Sequence, residues 1–305
     1  MSAGRASRAL LAGATVAFAA IVVLSACGAE KRPAPPNPAF ATPDPFADAV
    51  WDDGRAEIAV YRGTMPRYGT PRPARARIIV VKEDLDVAQR VKSDGPPAAG
   101  RTRPVLKMNT ILDFPTGTYD YHQMSSVFVD RESGALEKLA MSSTEGCGIT
   151  YVEVLPRDAA WRHVSHSYWD GEADRELTLA LRTERPTLAA DALPLLLRRY
   201  DLARAATFPA DLLPTQLSSR VAAPALVPAT IEIAGRPDAH GLPVTVRSVD
   251  ARGAPRVDRY WFDPASPHGL VRLERADGLV LERAKALRLA YWEKTAPGDE
   301  KLLEP

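Results

Sequence analysis

Leu242-Pro-Val-Thr-Val-Arg247 is the stretch that decides the fold, because apolar and other side chains alternate along it. In an extended chain, Leu242, Val244 and Val246 fall on one face, and Thr245 and Arg247 fall on the other. A surface helix would instead repeat its apolar residues every three or four positions. The stretch is therefore typical of a half-buried antiparallel strand.

The same period of two recurs along the chain from about Ala47 onward, for example around Ile58 and Ile231. Further strands are predicted over residues 76–83, 104–112, 120–129, 136–143, 149–154, 160–169, 174–181, 269–275 and 280–289. Turn-forming pairs separate them, and Asp277-Gly278 is the clearest hairpin signal. We therefore predict a mainly β protein, built as large curved antiparallel sheets or as a partly open barrel.

One segment departs from this pattern. Asp191 precedes Ala-Leu-Pro-Leu-Leu-Leu, which combines a capping residue, an early proline and apolar residues at helical spacing. We predict a short helical insertion near residues 190–203. Residues 203–228 are rich in Ala, Pro and Leu without a clear period, and we interpret them as an insertion that links two β halves.

Composition excludes several classes of protein. The chain has 305 residues, with 39 Lys and Arg against 38 Asp and Glu, so its formal net charge is +1. No basic excess is present to follow a phosphate backbone, and we predict no nucleic-acid partner. Two cysteines exclude a disulfide framework and a four-Cys zinc site. A hydrophobic content of 46% is too high for a disordered chain.

The N-terminus carries the strongest signal. Arg5 and Arg8 precede an apolar and small-residue run over residues 9–26, as in a signal peptide. The run ends in Leu24-Ser-Ala-Cys27, which resembles the lipobox of bacterial lipoproteins. That resemblance implies cleavage before Cys27 and acylation of this cysteine with fatty acids such as palmitate. A plain transmembrane anchor is the alternative, since the run nearly spans a bilayer.

Residues 27–46 then form a Pro-rich tether, which favours extended polyproline II geometry. At ~3.1 Å per residue, such a tether holds a domain up to roughly 60 Å from the bilayer. Gly28, rather than Asp, follows the cysteine. In a Gram-negative cell the lipoprotein resemblance then implies the outer membrane, facing the periplasm.

These features divide the chain into six predicted parts. They are a signal peptide (1–26), a lipid anchor and tether (27–46), an N-terminal β region (47–182), a helix and Pro-rich connection (183–228), a C-terminal β region (229–292) and a tail (293–305).

Catalytic motifs are missing from the sequence. It has no Gly-rich phosphate loop, no G-x-S-x-G, no S-x-x-K and no H-E-x-x-H. Cys147 stands between Gly146 and Gly148, and its nearest charge, Glu145, disfavours the thiolate that a nucleophile needs. We interpret Cys147 as a small buried residue in a tight strand connection, and a cysteine nucleophile is the alternative.

The histidines do not form a metal-binding pattern. His163 and His166 lie in a predicted strand, where residues three apart point to opposite faces and cannot share an ion. His122, His240 and His268 are isolated, and we expect a ring nitrogen of His268 to bond a loop carbonyl. We predict no catalytic, cofactor-binding or metal-binding residues and no cofactor, which leaves Cys27 as the one assigned site.

The aromatic stretch Tyr260-Trp261-Phe262 places Tyr260 and Phe262 on one face of a strand and Trp261 on the other. Such a strand is covered on both sides or lines a cavity. Core packing is the favoured interpretation, and a hydrophobic ligand groove is the alternative.

Several motifs spread over the mature chain carry a family resemblance. They are Trp51-Asp-Asp-Gly54, Arg67-Tyr-Gly69, Val105-Leu-Lys-Met-Asn109, Thr116-Gly-x-Tyr-x-Tyr121, Met124-x-Ser-Val-Phe128, Tyr260-Trp-Phe-Asp263, Ser266-Pro-His268 and Leu287-Arg-Leu-x-Tyr-Trp292. Together they resemble an uncharacterised family of bacterial envelope lipoproteins, often labelled "septum formation inhibitor Maf". The Ser-Pro-Arg-Arg signature of Maf nucleotide pyrophosphatases does not occur here. The Trp-Cys-Gly-His usual in the family is replaced by Gly146-Cys-Gly-Ile149. The resemblance implies a β-rich lipoprotein and gives no established activity.

Three classes of function follow from the sequence. We predict a membrane-anchored periplasmic lipoprotein that acts as a non-enzymatic binding module for an apolar ligand or lipid. The first alternative is an envelope scaffold that binds a protein or the cell wall. The second alternative is a hydrolase that uses Cys147 or an acid pair.

The lipid anchor leads to the first prediction. The Cys27→Ser variant lacks the sulfur that accepts the acyl chain, so metabolic labelling with a clickable fatty acid should be lost completely. The Cys147→Ser variant is the matched control and should label like the unchanged protein. Persistent labelling of Cys27→Ser would contradict the assignment.

Overall fold

The structure is a computed structural model that describes residues 39–221 and 224–304. The predicted signal peptide, Cys27 and the tether up to residue 38 lie outside the described residues. The described chain is mainly β, so the predicted fold class is confirmed. None of its helices is long and apolar enough to cross a bilayer.

Sixteen strands are found in the described residues, and they share one sheet. Their bounds are β1 (Ala56–Arg67), β2 (Thr70–Asp86), β3 (Val91–Lys92), β4 (Thr102–Pro115), β5 (Asp120–Asp130), β6 (Leu136–Glu145), β7 (Gly148–Arg157), β8 (Ala160–Ser167), β9 (Arg175–Ala180), β10 (Thr187–Ala189), β11 (Ala206–Leu213), β12 (Val227–Ile233), β13 (Leu242–Val249), β14 (Pro255–Phe262), β15 (Leu270–Glu274) and β16 (Val280–Leu289).

Two antiparallel meanders make up this sheet. The first runs from β1 to β9, with β3 paired only to β2, and the second runs from β11 to β16. The meanders join where β16 pairs antiparallel with β1, in the middle of the strand order. The edges are β9 and β10, and β10 pairs parallel with β11. Both predicted β regions therefore contribute to one continuous open sheet.

A six-residue connection joins the two edges of the sheet. Residues 181–186 alone join β9 to β10, which limits the gap between these edges to roughly 25 Å. Arg185, within this connection, reaches the Asp211 carboxylate of β11 at 3.0 Å, and Arg182 reaches it at 3.5 Å. The sheet is therefore curled, with one open side between β9 and β10.

A helical segment lies against the inner face of this curl. It consists of the α-helix Leu193–Leu196 between two 3-10 turns, Ala190–Ala192 and Leu197–Arg199. The residues from Ala190 to Leu197 are all buried in the main core. The predicted helical insertion near 190–203 is confirmed, and it ends at residue 199. Such an apolar helix is stable only inside a protein.

Arg198 ties the helical segment to the middle of the sheet. Its side chain is 1% exposed, and its Nη1 donates to both carboxylate oxygens of Glu57 in β1, at 2.8 and 3.1 Å. Its Nε donates to the carbonyl of Pro194 at 2.9 Å. The buried charge is thus paired and hydrogen-bonded, as burial of a charge requires.

The interpretation of residues 203–228 as an insertion that links two β halves misses one strand. These residues contain β11, which pairs antiparallel with β12 from Ala206 to Leu212. Ala210 to Leu213 are all buried, so this strand does not alternate between exposed and buried positions. A strand covered on both faces has no period of two for the sequence to show.

The outer face of the sheet carries a second, smaller apolar cluster. It is formed by Ala56, Ile58, Val60, Ile79 and Val81 of β1 and β2. Tyr291 and Leu303, from 3-10 turns in the C-terminal segment, pack against it. The central strands are therefore covered on both faces by the protein's own chain.

The Arg198–Glu57 pair leads to the second prediction. The Arg198→Ala variant leaves the largely buried Glu57 carboxylate, whose side chain is 13% exposed, without its partner, and we expect it to lower the free energy of unfolding by about 3–5 kcal/mol. Urea unfolding followed by far-UV circular dichroism measures this loss. The double variant Arg198→Met/Glu57→Gln, which removes both charges, should lose much less. A loss below about 1 kcal/mol in Arg198→Ala would contradict the role given to this pair.

Candidate functional site

A segment that follows β11 crosses the open side of the curl. We call residues 214–221 the bridging segment. Gln216 Oε1 lies 3.0 Å from His163 Nε2 of β8, and the Ser219 carbonyl accepts a bond of 2.9 Å from Thr150 Oγ1 of β7. The Val221 amide donates to Glu172 at 2.8 Å. These bonds attach the second meander to the far end of the first.

A cavity of about 380 Å³ lies beneath the bridging segment. Apolar groups make up much of its wall, namely Val152, Ala190, Leu212, Pro214, Val221, Pro224, Ala225, Val227, Val249 and Ala251. A smaller cavity of about 40 Å³ adjoins it and shares four of its lining residues, Ala190, Thr215, Asp258 and Arg275. The two cavities lie side by side between the bridging segment and the inner face of the sheet.

Charged groups meet where the two cavities adjoin. Arg275 makes a close ion pair with Asp277, and its Nη1 donates to Thr215 Oγ1 at 3.3 Å. Asp191 accepts from Thr215 Oγ1 at 2.6 Å and from the Gln216 amide at 2.7 Å. Asp258 accepts from the Ala276 amide at 2.7 Å. Each carboxylate is therefore already engaged by protein groups.

Burial raises the pKa of Asp191 and the pKa of Asp258 above the usual range for an aspartate. The hydrogen bonds to Thr215 and Gln216 act in the opposite direction on the pKa of Asp191 without cancelling the effect of burial. Shifted acids beside a cavity are typical of functional sites, and also of buried structural networks. Here Asp191 fastens the bridging segment to the helical segment, which is a structural task.

Polar side chains also follow the inner face of β4 to β8. Thr110, Ser125 and Ser165 lie in one row across these strands, and Gln123, Ser143 and Thr150 lie in the next row. We call these six residues the inner polar stripe. Sequence reasoning missed it, although the signal was present. Gln123 and Ser125 alternate in step with Val127 and Val129 along β5, so all four side chains lie on the same buried face.

Cys147 is exposed, so the prediction of a buried packing residue is wrong. Glu145 pairs with Gly148 across the β6–β7 hairpin, which leaves Gly146 and Cys147 as its two-residue tip. The tight connection was predicted correctly, but a hairpin tip projects beyond the sheet rather than into the core. The flanking glycines have a packing reason. A Cβ on Gly148 would overlap the ring of Tyr168.

The histidines lie where the strand pattern predicted. His163 is buried and His166 is exposed, on opposite faces of β8, and His166 Nδ1 lies 3.0 Å from Asp174. Desolvation lowers the pKa of His163 below its usual value. His268 Nδ1 bonds the carbonyl of Asp263 at 2.9 Å, as expected of a loop histidine. Within residues 39–221 and 224–304, no group of three or more metal-binding side chains is found.

The aromatic stretch of β14 packs into the core, which is the interpretation that the sequence favoured. Tyr260, Trp261 and Phe262 are all buried, and Tyr260 also lines the smaller cavity. Trp261 lies on the other face of the strand and donates from Nε1 to Asp238 at 2.8 Å. All three residues therefore contribute to packing, and only Tyr260 also forms part of a cavity wall.

Comparison with known proteins gives no further assignment. No protein-family model, no curated protein and no solved structure matches this chain.

The hairpin tip leads to the third prediction. In the lipidated protein Cys147 is the remaining thiol, and we expect it to react fully with dithionitrobenzoate without denaturant because it is exposed. For the same reason Cys147→Ala should change the free energy of unfolding by less than about 0.5 kcal/mol. A thiol that reacts only after urea is added would show that the tip is covered.

Proposed function

We propose that this chain is a lipid-anchored, non-enzymatic binding module of the periplasm that takes an apolar ligand or a lipid. The cavity beneath the bridging segment carries this proposal. Its volume of about 380 Å³ lies within the range of roughly 300–1,000 Å³ that small-molecule sites occupy. Half of its lining residues are apolar, which suits an apolar chain, and the other half are polar or charged.

The placement of the polar groups supports binding rather than catalysis. Both oxygens of Asp191 accept hydrogen bonds from the bridging segment, and Arg275 is paired with Asp277. These groups hold the cavity wall together. Cys147, the thiol considered as a nucleophile, lies at the tip of the β6–β7 hairpin and does not line the cavity.

The cellular location is part of the proposal and rests on the sequence. The lipobox resemblance at Cys27, with Gly28 after it, supports an anchor in the outer membrane with the sheet in the periplasm. The resemblance of the chain to the uncharacterised family of envelope lipoproteins described above supports the same location. A membrane-attached binding module needs the cavity and the anchor together, and the chain offers a candidate for each.

An envelope scaffold is the second candidate function, and one observation favours it. The turns at one end of the sheet expose aromatic and apolar side chains, namely Tyr68, Ile149 and Tyr168. Tyr68 bonds the hydroxyl groups of Tyr119 and Tyr121 at 2.9 and 3.0 Å, so the rings form a linked group. Exposed aromatic groups of this kind occur at protein interfaces.

Filling the cavity provides the fourth prediction. Val249 lines it and is partly buried, so Val249→Trp should occupy the space that a ligand needs. In vesicles, a fatty acid with a mid-chain diazirine should photolabel peptides of the cavity wall, and Val249→Trp should reduce this labelling at least about tenfold.

The control for this experiment is Ile149→Trp, which adds the same ring at a residue that is 62% exposed and outside the cavity. This variant should label like the unchanged protein. Equal labelling of all three proteins, or labelling confined to surface peptides, would contradict the binding function.

A further inference from the structure

We propose that the larger cavity binds an anionic amphiphile, whose carboxylate or phosphate headgroup is held by Arg252 and Arg256 while its acyl chain lies against the apolar wall. This inference rests on the binding function proposed above and specifies the chemistry of its ligand. The observations that carry it are the charges of the cavity wall, the bonding of each charged group and the register of the β13–β14 hairpin.

The charged residues of the larger cavity give its wall a positive excess. Its basic lining residues are Arg220, Arg252, Arg256 and Arg275, and its acidic lining residues are Asp250 and Asp258. Burial raises the pKa of Asp258, against the opposing effect of neighbouring arginines, so its negative charge is weakened further. A concave wall with more guanidinium groups than carboxylates attracts an anion.

Two of the four arginines are already engaged by protein groups. Arg275 is paired with Asp277 where the two cavities adjoin. Arg220 makes an ion pair with Glu172, and its guanidinium carbon lies 4.3 Å from the centre of a ring of Trp169. These contacts fix the two side chains as parts of the wall, so their positive charges contribute to the potential inside the cavity without being the first groups to bond a ligand.

The other two arginines have bonding capacity left. Among the described residues, neither the Arg252 nor the Arg256 guanidinium group has an ion pair or a hydrogen bond. The nearby Asp250 accepts from the backbone amides of Arg252 and Ala254 at 2.8 and 2.9 Å, so this carboxylate caps the hairpin turn. These amides, and then the charges of the two arginines, lower the pKa of Asp250. Each guanidinium group therefore keeps its donors for an outside partner.

The register of the hairpin turns Arg256 towards the cavity. Arg256 pairs with Ser248 across β13 and β14, and both residues line the larger cavity. Side chains two apart along a strand lie on the same face, so Arg256 shares the inner face with Asp258 and Tyr260. Asp258 lines both cavities and Tyr260 lines the smaller one. The guanidinium group of Arg256 thus stands at the hairpin end of a row that continues into the cavity wall.

Burial defines the two ends of the larger cavity. Arg252 is exposed in the β13–β14 turn, and Arg256 is partly exposed beside it. The wall residues Ala190 and Leu212, in contrast, are buried in the main core. A headgroup at the turn therefore remains in contact with water, whereas a chain that extends towards Leu212 leaves it.

The chemistry of these two ends matches an amphiphile with an acidic headgroup. A guanidinium group presents a planar set of donors that fits two oxygens of a carboxylate or a phosphate. A neutral headgroup would leave these charge-assisted bonds unmade. The acyl chain gains by leaving water wherever it meets the apolar wall, because the hydrophobic effect is not directional. The arginines therefore decide which headgroup is preferred.

The test compares photolabels that share one diazirine-bearing acyl chain. A monoacylglycerol and its phosphate monoester differ only in the anionic group, and the free fatty acid offers a carboxylate instead. The full lipidated protein is labelled with each probe in phosphatidylcholine vesicles, and labelled peptides of the cavity wall are quantified by mass spectrometry relative to the probe in the vesicles. We expect the phosphate to label at least about tenfold more than the monoacylglycerol, the effect of a charge-assisted hydrogen bond.

The double variant Arg252→Gln/Arg256→Gln should abolish this preference. Its far-UV circular dichroism should stay unchanged, because neither guanidinium group bonds another described residue. The matched control is Arg204→Gln/Arg236→Gln, which removes the same two charges from exposed positions outside the cavity. This control should keep the preference.

The fatty acid identifies the source of the anion. Labelling at the level of the phosphate would show that a carboxylate is sufficient, and weaker labelling would show that a phosphate headgroup is preferred. Both results support an anionic ligand, provided that the double variant reduces the labelling.

Two further outcomes separate this inference from the binding function. Equal labelling by the monoacylglycerol and its phosphate, or a preference that survives in the double variant, would overturn the inference. The binding function stands in that case if Val249→Trp still reduces labelling by the probes. Absence of cavity labelling by all three probes would overturn the binding function and this inference together.

Discussion

The buried ion pair between Arg198 and Glu57 is the interaction on which the rest of the structure depends. The sheet is open, so its inner face must be covered by the chain's own connections, and the helical segment is the largest of these. Arg198 fixes this segment to β1, the strand in which the two meanders meet. An apolar helix alone would tolerate several positions on an apolar surface, whereas a buried charge accepts only the place where its partner lies.

The cavity follows from the same arrangement. The helical segment covers the inner face near the middle strands, and the bridging segment covers it near β7 and β8. Because the helical segment and the bridging segment contact the curved sheet at different places, a space remains between them. Asp191 joins the two segments beside the smaller cavity. The cavity is thus built into the topology, since it lies where the chain returns from one edge of the sheet to the other.

Strands and helices that show a local sequence pattern can be predicted from the sequence. The burial of a residue cannot be predicted in this way where it depends on contacts with distant parts of the chain. Alternation such as that of Leu242 to Val246 locates most strands, and the proline and apolar spacing after Asp191 locate the helix. Strand β11 is not predicted from the sequence, because both of its faces are covered by parts of the chain that no local pattern identifies. The sequence predicts the tight turn at Cys147, but whether the tip of a turn is buried or exposed depends on the whole sheet.

The polar groups around the cavity differ in what they can still bind. Arg275, Asp191 and Asp258 are engaged with Asp277, Thr215 and backbone amides, and their charges hold the wall together. The inner polar stripe, in contrast, contains hydroxyl and amide atoms with unused bonding capacity. An apolar chain gains by filling the wall in any orientation, because the hydrophobic effect is not directional. The inner face therefore combines a charged network that protein groups already satisfy with hydroxyl and amide atoms that still lack a protein partner among the described residues.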